Sequence, residues 1–215
     1  MDESSTFLDQ NFRLPTKLKI LRAAASLFAE KGYTETSVRE LAMAVGIKTA
    51  SIYNHFPSKN AILELMLDDY SMRSRMYLYD KDLLSKLWND PTSNGILSCL
   101  RLKFDENEAE HDLRVLRVIF QEQHRNPVVR QYVSEQIIMI AETNVKKIIV
   151  TLKTLGIIRQ DTDPDFWAKA SSSLLYSFAS RYMLGIGDNT EGFSGLDMNG
   201  MLKALFDKML IENKA

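Results

Sequence analysis

Residues 48–55 read KTASIYNH, with Gly46 just before them and Pro57 just after. Thr49, Ser51, Tyr53, Asn54 and His55 place hydroxyl, phenol, amide and imidazole groups within seven consecutive positions. Solubility alone does not require that much hydrogen-bonding capacity in so short a segment. On a helix turning about 100° per residue, Ile52 and Phe56 share one side. Ala50, Ser51 and Asn54 point the other way, with Lys48, Thr49, Tyr53 and His55 on the flanks. Such a face has the chemistry of a nucleic-acid reader. Ala50 permits close approach, Ser51 exchanges hydrogen bonds with base edges, Asn54 is either a base reader or a spectator, and Thr49 or Ala50 meets a thymine methyl. Tyr53, His55 and the nearby Lys59 suit phosphate oxygens, which supply position and affinity rather than sequence choice. The competing reading is a solvated polar helix with no ligand.

Other elements must hold that face in place. Spacing of three and four recurs along the chain and period-two alternation is nearly absent, which predicts an all-α protein. A helix is expected from Thr16, as its cap, to Lys31, with Ile20, Ala24, Leu27 and Phe28 in one stripe and Gly32 closing it. Ser37 followed by Glu40 has the pattern of a capping box and opens a second helix that buries Val38, Leu41 and Val45 and ends at Gly46. Pro57 stops the third, and Ser58 caps a longer fourth carrying Ile62, Leu63, Met66 and Tyr70. Ala42, Gly46 and Ile52 fit the packing of a helix-turn-helix. The first gives a small residue where the helices cross, the second a turn residue free to take positive φ, and the third a core anchor. In that motif the second helix enters the DNA major groove and the first crosses the backbone. Amide groups at the helix starts near Ser37 and Ser58 are further phosphate ligands.

Charge distribution agrees. The formal net charge is −1, yet residues 13–59 hold eight basic against three acidic residues, a local +5 that leaves −6 for the remainder. A basic end on an acidic body implies an anionic partner there. With Cys99 as the single cysteine, an intrachain disulfide is impossible and a cysteine-based zinc site is not expected. The acidic, polar N-terminus is unlike a signal peptide. No apolar run nears the roughly 18 residues that cross a membrane. A soluble, cytoplasmic protein is therefore expected. No nucleophile–base pairing or phosphate loop stands out, so no catalytic residues, metal or cofactor are assigned.

The run ILRAAASLFAEKGYTETSVRELAMAVGIKTASIYNHFPSKNAIL resembles the DNA-binding head of the tetracycline-repressor (TetR) family. The matching elements are AA…LFAEKGY, TSVRELA…VGI, SIYNHF and SK followed by an apolar pair, over about residues 16–65. Lys48 stands where many members carry a serine cap, and Asn60 where glutamate is frequent. The resemblance implies Arg39, Thr49, Ala50 and Ser51 as base readers, and Thr36, Ser37, Tyr53, His55 and Lys59 as phosphate contacts. It also implies a three-helix head, residues 13–60, followed at 61–215 by a helical-bundle regulatory domain. That domain would dimerise through its last two helices and hold a small-molecule pocket.

Beyond the head, helices are expected at about 59–80, 95–106, 111–123 and 127–154, then from Asp163 as a cap, and finally from Met198. The helix after Asp163 mixes Ala168, Ser172 and Ala179 with Trp167, Leu175, Phe178 and Tyr182, and the last carries a broad apolar stripe; both fit a subunit contact. Phe104, His111, Phe120, His124, Tyr132, Met139 and Trp167 are candidates to line a cavity between the middle helices, although such residues at helical spacing also build plain core. The resulting expectation is a homodimeric repressor on a palindromic operator in double-stranded DNA, released by a small-molecule effector. The alternative is an all-helical small-molecule carrier or enzyme whose head is only structural.

Overall fold

The computed structural model describes residues 15–78, 82–100, 108–183 and 198–215. Among these, every regular element is helical, apart from one isolated antiparallel bridge between Ile158 and Lys214. The described residues form two compact units. The first comprises 15–71 and 108–130, and the second 72–78, 82–100, 131–183 and 198–215.

The first unit holds the head. Helix α1 (Thr16–Lys31) buries Ile20, Ala24, Ala25 and Phe28, extending the expected stripe. Its N-cap is Pro15 rather than Thr16; the Pro15 carbonyl accepts from the Leu18 and Lys19 amides, and no side chain caps this end. Helix α2 (Val38–Val45) packs on α1 and on the five-residue α3 (Thr49–Tyr53). It ends as the sequence predicts. Gly46 takes the left-handed conformation at φ 74° and ψ 32°, with its amide on Met43 O and that of Ile47 on Ala42 O. This pair of bonds satisfies two of the carbonyls that a helix end leaves open. Helix α4 (Lys59–Leu78) starts at Ser58, whose Oγ accepts the Ala61 amide at 3.1 Å. It sends Ile62, Leu63, Met66 and Leu67 into the interior.

A later helix, which we number α7 (Ala109–Glu122), also belongs to this unit and packs on α1. It buries Val115, Val118 and Ile119. The head helices are thereby joined by a segment some ninety residues further along the chain.

The second unit contains α5 (Leu83–Asn89) and α6 (Ser93–Cys99). After α8 (Pro127–Tyr132), which begins in the first unit, come a π-helical stretch at Val133–Ile138, α9 (Met139–Thr154), α10 (Pro164–Met183) and α11 (Met198–Glu212). Its core gathers Leu87, Ile96, Ile148, Ile149, Leu152, Trp167, Leu202, Phe206 and Met209. Asp163 caps α10 as expected, accepting the amides of Asp165 and Phe166. Two features depart from the sequence reading. Helix α5 was not anticipated, because seven residues are too few to display a period. The expected single helix over 127–154 is interrupted by the wider π turn. Gly95 is required where it stands, since a Cβ there would lie 1.8 Å from the Asp90 carbonyl oxygen.

Candidate nucleic-acid interface

A helix of five residues has no independent stability, so α3 depends on what pins it. Ile52 and Phe56 are 1% and 2% exposed, and the amides of His55 and Phe56 both reach Ile52 O at 2.9 Å, closing the helix into a turn. Burial of both anchors leaves the opposite surface open. Lys48, Ala50, Tyr53, Asn54 and His55 are exposed, and Thr49 and Ser51 are half-buried beside them. Tyr53 shows 54% of its surface. Lys48 occupies the N-cap position in extended conformation, and no side-chain hydrogen bond caps this helix start.

The start of α2 lies nearby in the same unit and is rigidly built. Ser37 Oγ accepts the Glu40 amide at 3.2 Å, and the Glu40 carboxylate accepts the Ser37 amide at 2.8 Å. Glu40 also accepts from Lys31 Nζ at 2.7 Å. The Lys31 ammonium, then the Ser37 donors, hold the Glu40 carboxyl down from 4.5 to about 2. Arg39 projects from this end, exposed and in no ion pair with the described residues.

Two residues assigned to phosphate, Thr36 through the resemblance and Lys59 also from its chemistry and position, are placed differently. Thr36 is fully buried, and its hydroxyl donates to Gly32 O at 2.8 Å and Leu27 O at 3.2 Å. Its side chain is therefore part of the interior. Lys59 turns back on the preceding loop, where Nζ donates to the carbonyls of Tyr33 at 2.7 Å, Thr36 at 2.8 Å and Thr34 at 3.3 Å. The ammonium also lies 4.4 Å from the Tyr33 ring centroid. Burial pulls the Lys59 pKa down, against the field of Glu122.

The local excess of cations is accordingly smaller at the surface than in the sequence. Arg22 pairs with Glu108 at 2.5 Å, Lys31 with Glu40, and Lys59 with backbone. Lys17, Arg39 and Lys48 remain exposed without an ion pair among the described residues, Lys17 lying 5.5 Å over the Phe56 ring. Lys17 enters the sequence reading only through the local charge count and not as an assigned contact. Glu122 escaped it because its role depends on a contact across 89 residues.

The candidate cavity residues do not gather in one body. Phe104 lies outside the described residues. His111, Phe120 and His124 belong to the first unit, with His111 buried, Phe120 half-buried and His124 exposed. Tyr132, Met139 and Trp167 belong to the second. Tyr132 is buried, Met139 is 54% exposed, and Trp167 sits in the apolar core edge-on to Phe166.

Residues 20–66 match the model of bacterial regulatory proteins of the tetR family. The chain is 27% identical over 142 residues to YvkB, an uncharacterised HTH-type transcriptional regulator of Bacillus subtilis; the alignment covers 66% of this chain and 68% of YvkB. It is 50% identical over 48 residues to IcaR of Staphylococcus aureus, the negative transcriptional regulator of the biofilm operon icaADBC. That match covers 22% of this chain and 26% of IcaR. The fold is similar to that of a transcriptional regulator from Saccharomonospora viridis solved in complex with choline. The TM-score there is 0.61 at 22% identity, over 87% of this chain and 93% of that one.

Proposed function

Because the chain belongs to the tetR family of bacterial regulatory proteins and is a DNA-binding transcriptional regulator, we propose that it is a cytoplasmic homodimeric repressor released from its operator by a small molecule. The observation that carries this reading is the outward face of α3, a set of base- and phosphate-compatible groups fixed from beneath by Ile52 and Phe56. Arg39, Thr49, Ala50, Ser51 and Asn54 read bases in the major groove. Tyr53, His55 and Lys48 hold the backbone. Residues 13–60 form the DNA-contacting part and 61–215 the part that dimerises and takes the effector.

Two copies place their heads in successive major grooves of a palindromic site. Phe166 on α10 and Met201 and Ile211 on α11 are 59%, 47% and 77% exposed, and supply apolar surface for pairing through the last two helices. Negative regulation by IcaR supports repression, and the choline complex supports a small-molecule effector; the identity of that ligand is not carried over. Release needs only a modest coupling: roughly 1–3 kcal/mol between free and bound states changes affinity about 5- to 150-fold. The chemistry is binding, not catalysis.

A gel shift with DNA from upstream of the chain's own gene, at two salt concentrations, tests the reading. A specific, salt-sensitive shift that Tyr53→Ala abolishes is expected. Absence of a shift on that DNA and on every member of a palindromic library would refute it.

A further inference from the structure

Two charged side chains from other helices bond the backbone of the segment between α1 and α2. Lys59, the first residue of α4, gives its ammonium to the carbonyls of Tyr33, Thr34 and Thr36. An ammonium has three N–H donors, so all three are used inside the protein. Glu122, the last residue of α7 and 7% exposed, accepts the Tyr33 amide at 3.1 Å. Four backbone groups of residues 33–36, one donor and three acceptors, are thereby fixed by one lysine and one glutamate. The buried Thr36 hydroxyl ties the segment's end to Gly32 and Leu27. Ser37 follows at once and starts α2, the helix that carries Arg39 and packs on α3. Among the carboxylates whose fields act on Lys59, Glu122 acts most strongly.

We propose that Lys59 and Glu122 are positioning residues for DNA binding, a clamp that sets the α1–α2 turn and through it the start of α2, and that Lys59 does not contact a phosphate. The inference rests on the reading that the head binds DNA. The bonds themselves do not.

The test uses the full chain and a fluorescent duplex carrying the site that the wild-type protein selects from a random library. Affinity is measured across a salt series for Lys59→Met, Lys59→Arg, Glu122→Leu and, as a phosphate-contact control, Lys48→Met. Loss of one phosphate contact lowers the slope of log affinity against log salt by about one. That is expected of Lys48→Met. Lys59→Met, Lys59→Arg and Glu122→Leu are each expected to weaken binding about tenfold, the scale of lost hydrogen bonds to a charged group, while the slope stays within about half a unit of wild type. Arginine keeps the charge but not the three-carbonyl fit, so it separates a clamp from a phosphate contact even where Lys59→Met fails to fold. A slope reduced by about one in Lys59→Met, with Lys59→Arg and Glu122→Leu binding like wild type, would overturn the proposal. Should the wild-type chain bind no duplex, the DNA-binding reading fails and the clamp is tested by amide exchange at Tyr33. Slow exchange in wild type that Glu122→Leu accelerates upholds the clamp, and exchange unaffected by Glu122→Leu overturns it.

Discussion

The outer face of α3 and the turn at residues 33–36 are both rich in polar groups, and they spend them in opposite directions. On α3, Lys48, Tyr53, Asn54 and His55 stand exposed, while Ile52 and Phe56 alone face inward. In the turn, the Thr36 hydroxyl, the Tyr33 amide and three carbonyls are all satisfied within the protein. A polar side chain is thus a recognition group only where the fold has not already used its donors and acceptors. Buried polar groups must find partners or cost free energy; exposed ones are left for a ligand.

This contrast orders the expected effects of substitution. Ile52→Ala removes the anchor beneath the reading face and is expected to cost about 2–5 kcal/mol, seen as a lowered midpoint in urea unfolding together with lost DNA binding. Thr36→Val strands the geometry at Leu27 O and Gly32 O, and a loss of about 1–3 kcal/mol is expected by the same measurement. A stability unchanged by Thr36→Val would erase the distinction between the two regions. Ser37→Ala removes the α2 cap and is expected to cost about 1 kcal/mol. On the outward face the expectation reverses: Ser51→Ala and Asn54→Ala leave stability within about 0.5 kcal/mol while altering DNA recognition.

The smallest effect concerns acid. Glu40 has its folded value lowered to about 2 from 4.5. Its contribution is therefore present above pH 4.5 and is lost as pH falls from there toward 2. Because the group is exposed, salt should weaken the effect. Glu40→Gln keeps the capping pattern but removes the charge, and is expected to flatten the pH dependence of unfolding across that window.

The head was legible because its signals are local. Ser37 and Glu40 are three residues apart, Gly46 closes α2 in the conformation its position requires, and Ala42 and Ile52 mark where the helices cross and anchor. Direction was not legible where the partner is backbone brought in by tertiary packing. Nothing in residues 57–60 says that Lys59 folds back onto the loop at 33–36, and nothing in α7 says that Glu122 meets Tyr33 across 89 residues. The regulatory part was least legible, since Met and aromatic residues at helical spacing serve core and cavity alike. Trp167 lies in the core, Met139 at the surface, and only the packed structure separates them. Helix α5 escaped because a seven-residue element carries too little period to be seen.

The central claim is that the outward side chains of α3 choose the bases. Selection from a library of random duplexes, carried out in parallel with the wild-type chain, Ser51→Ala and Asn54→Ala, tests it most directly. The expected result is a two-fold symmetric site enriched by wild type, with base preference relaxed at matching positions in both half-sites by at least one of the variants. A site selected with the same preferences by all three proteins, or no enrichment by wild type, would contradict it.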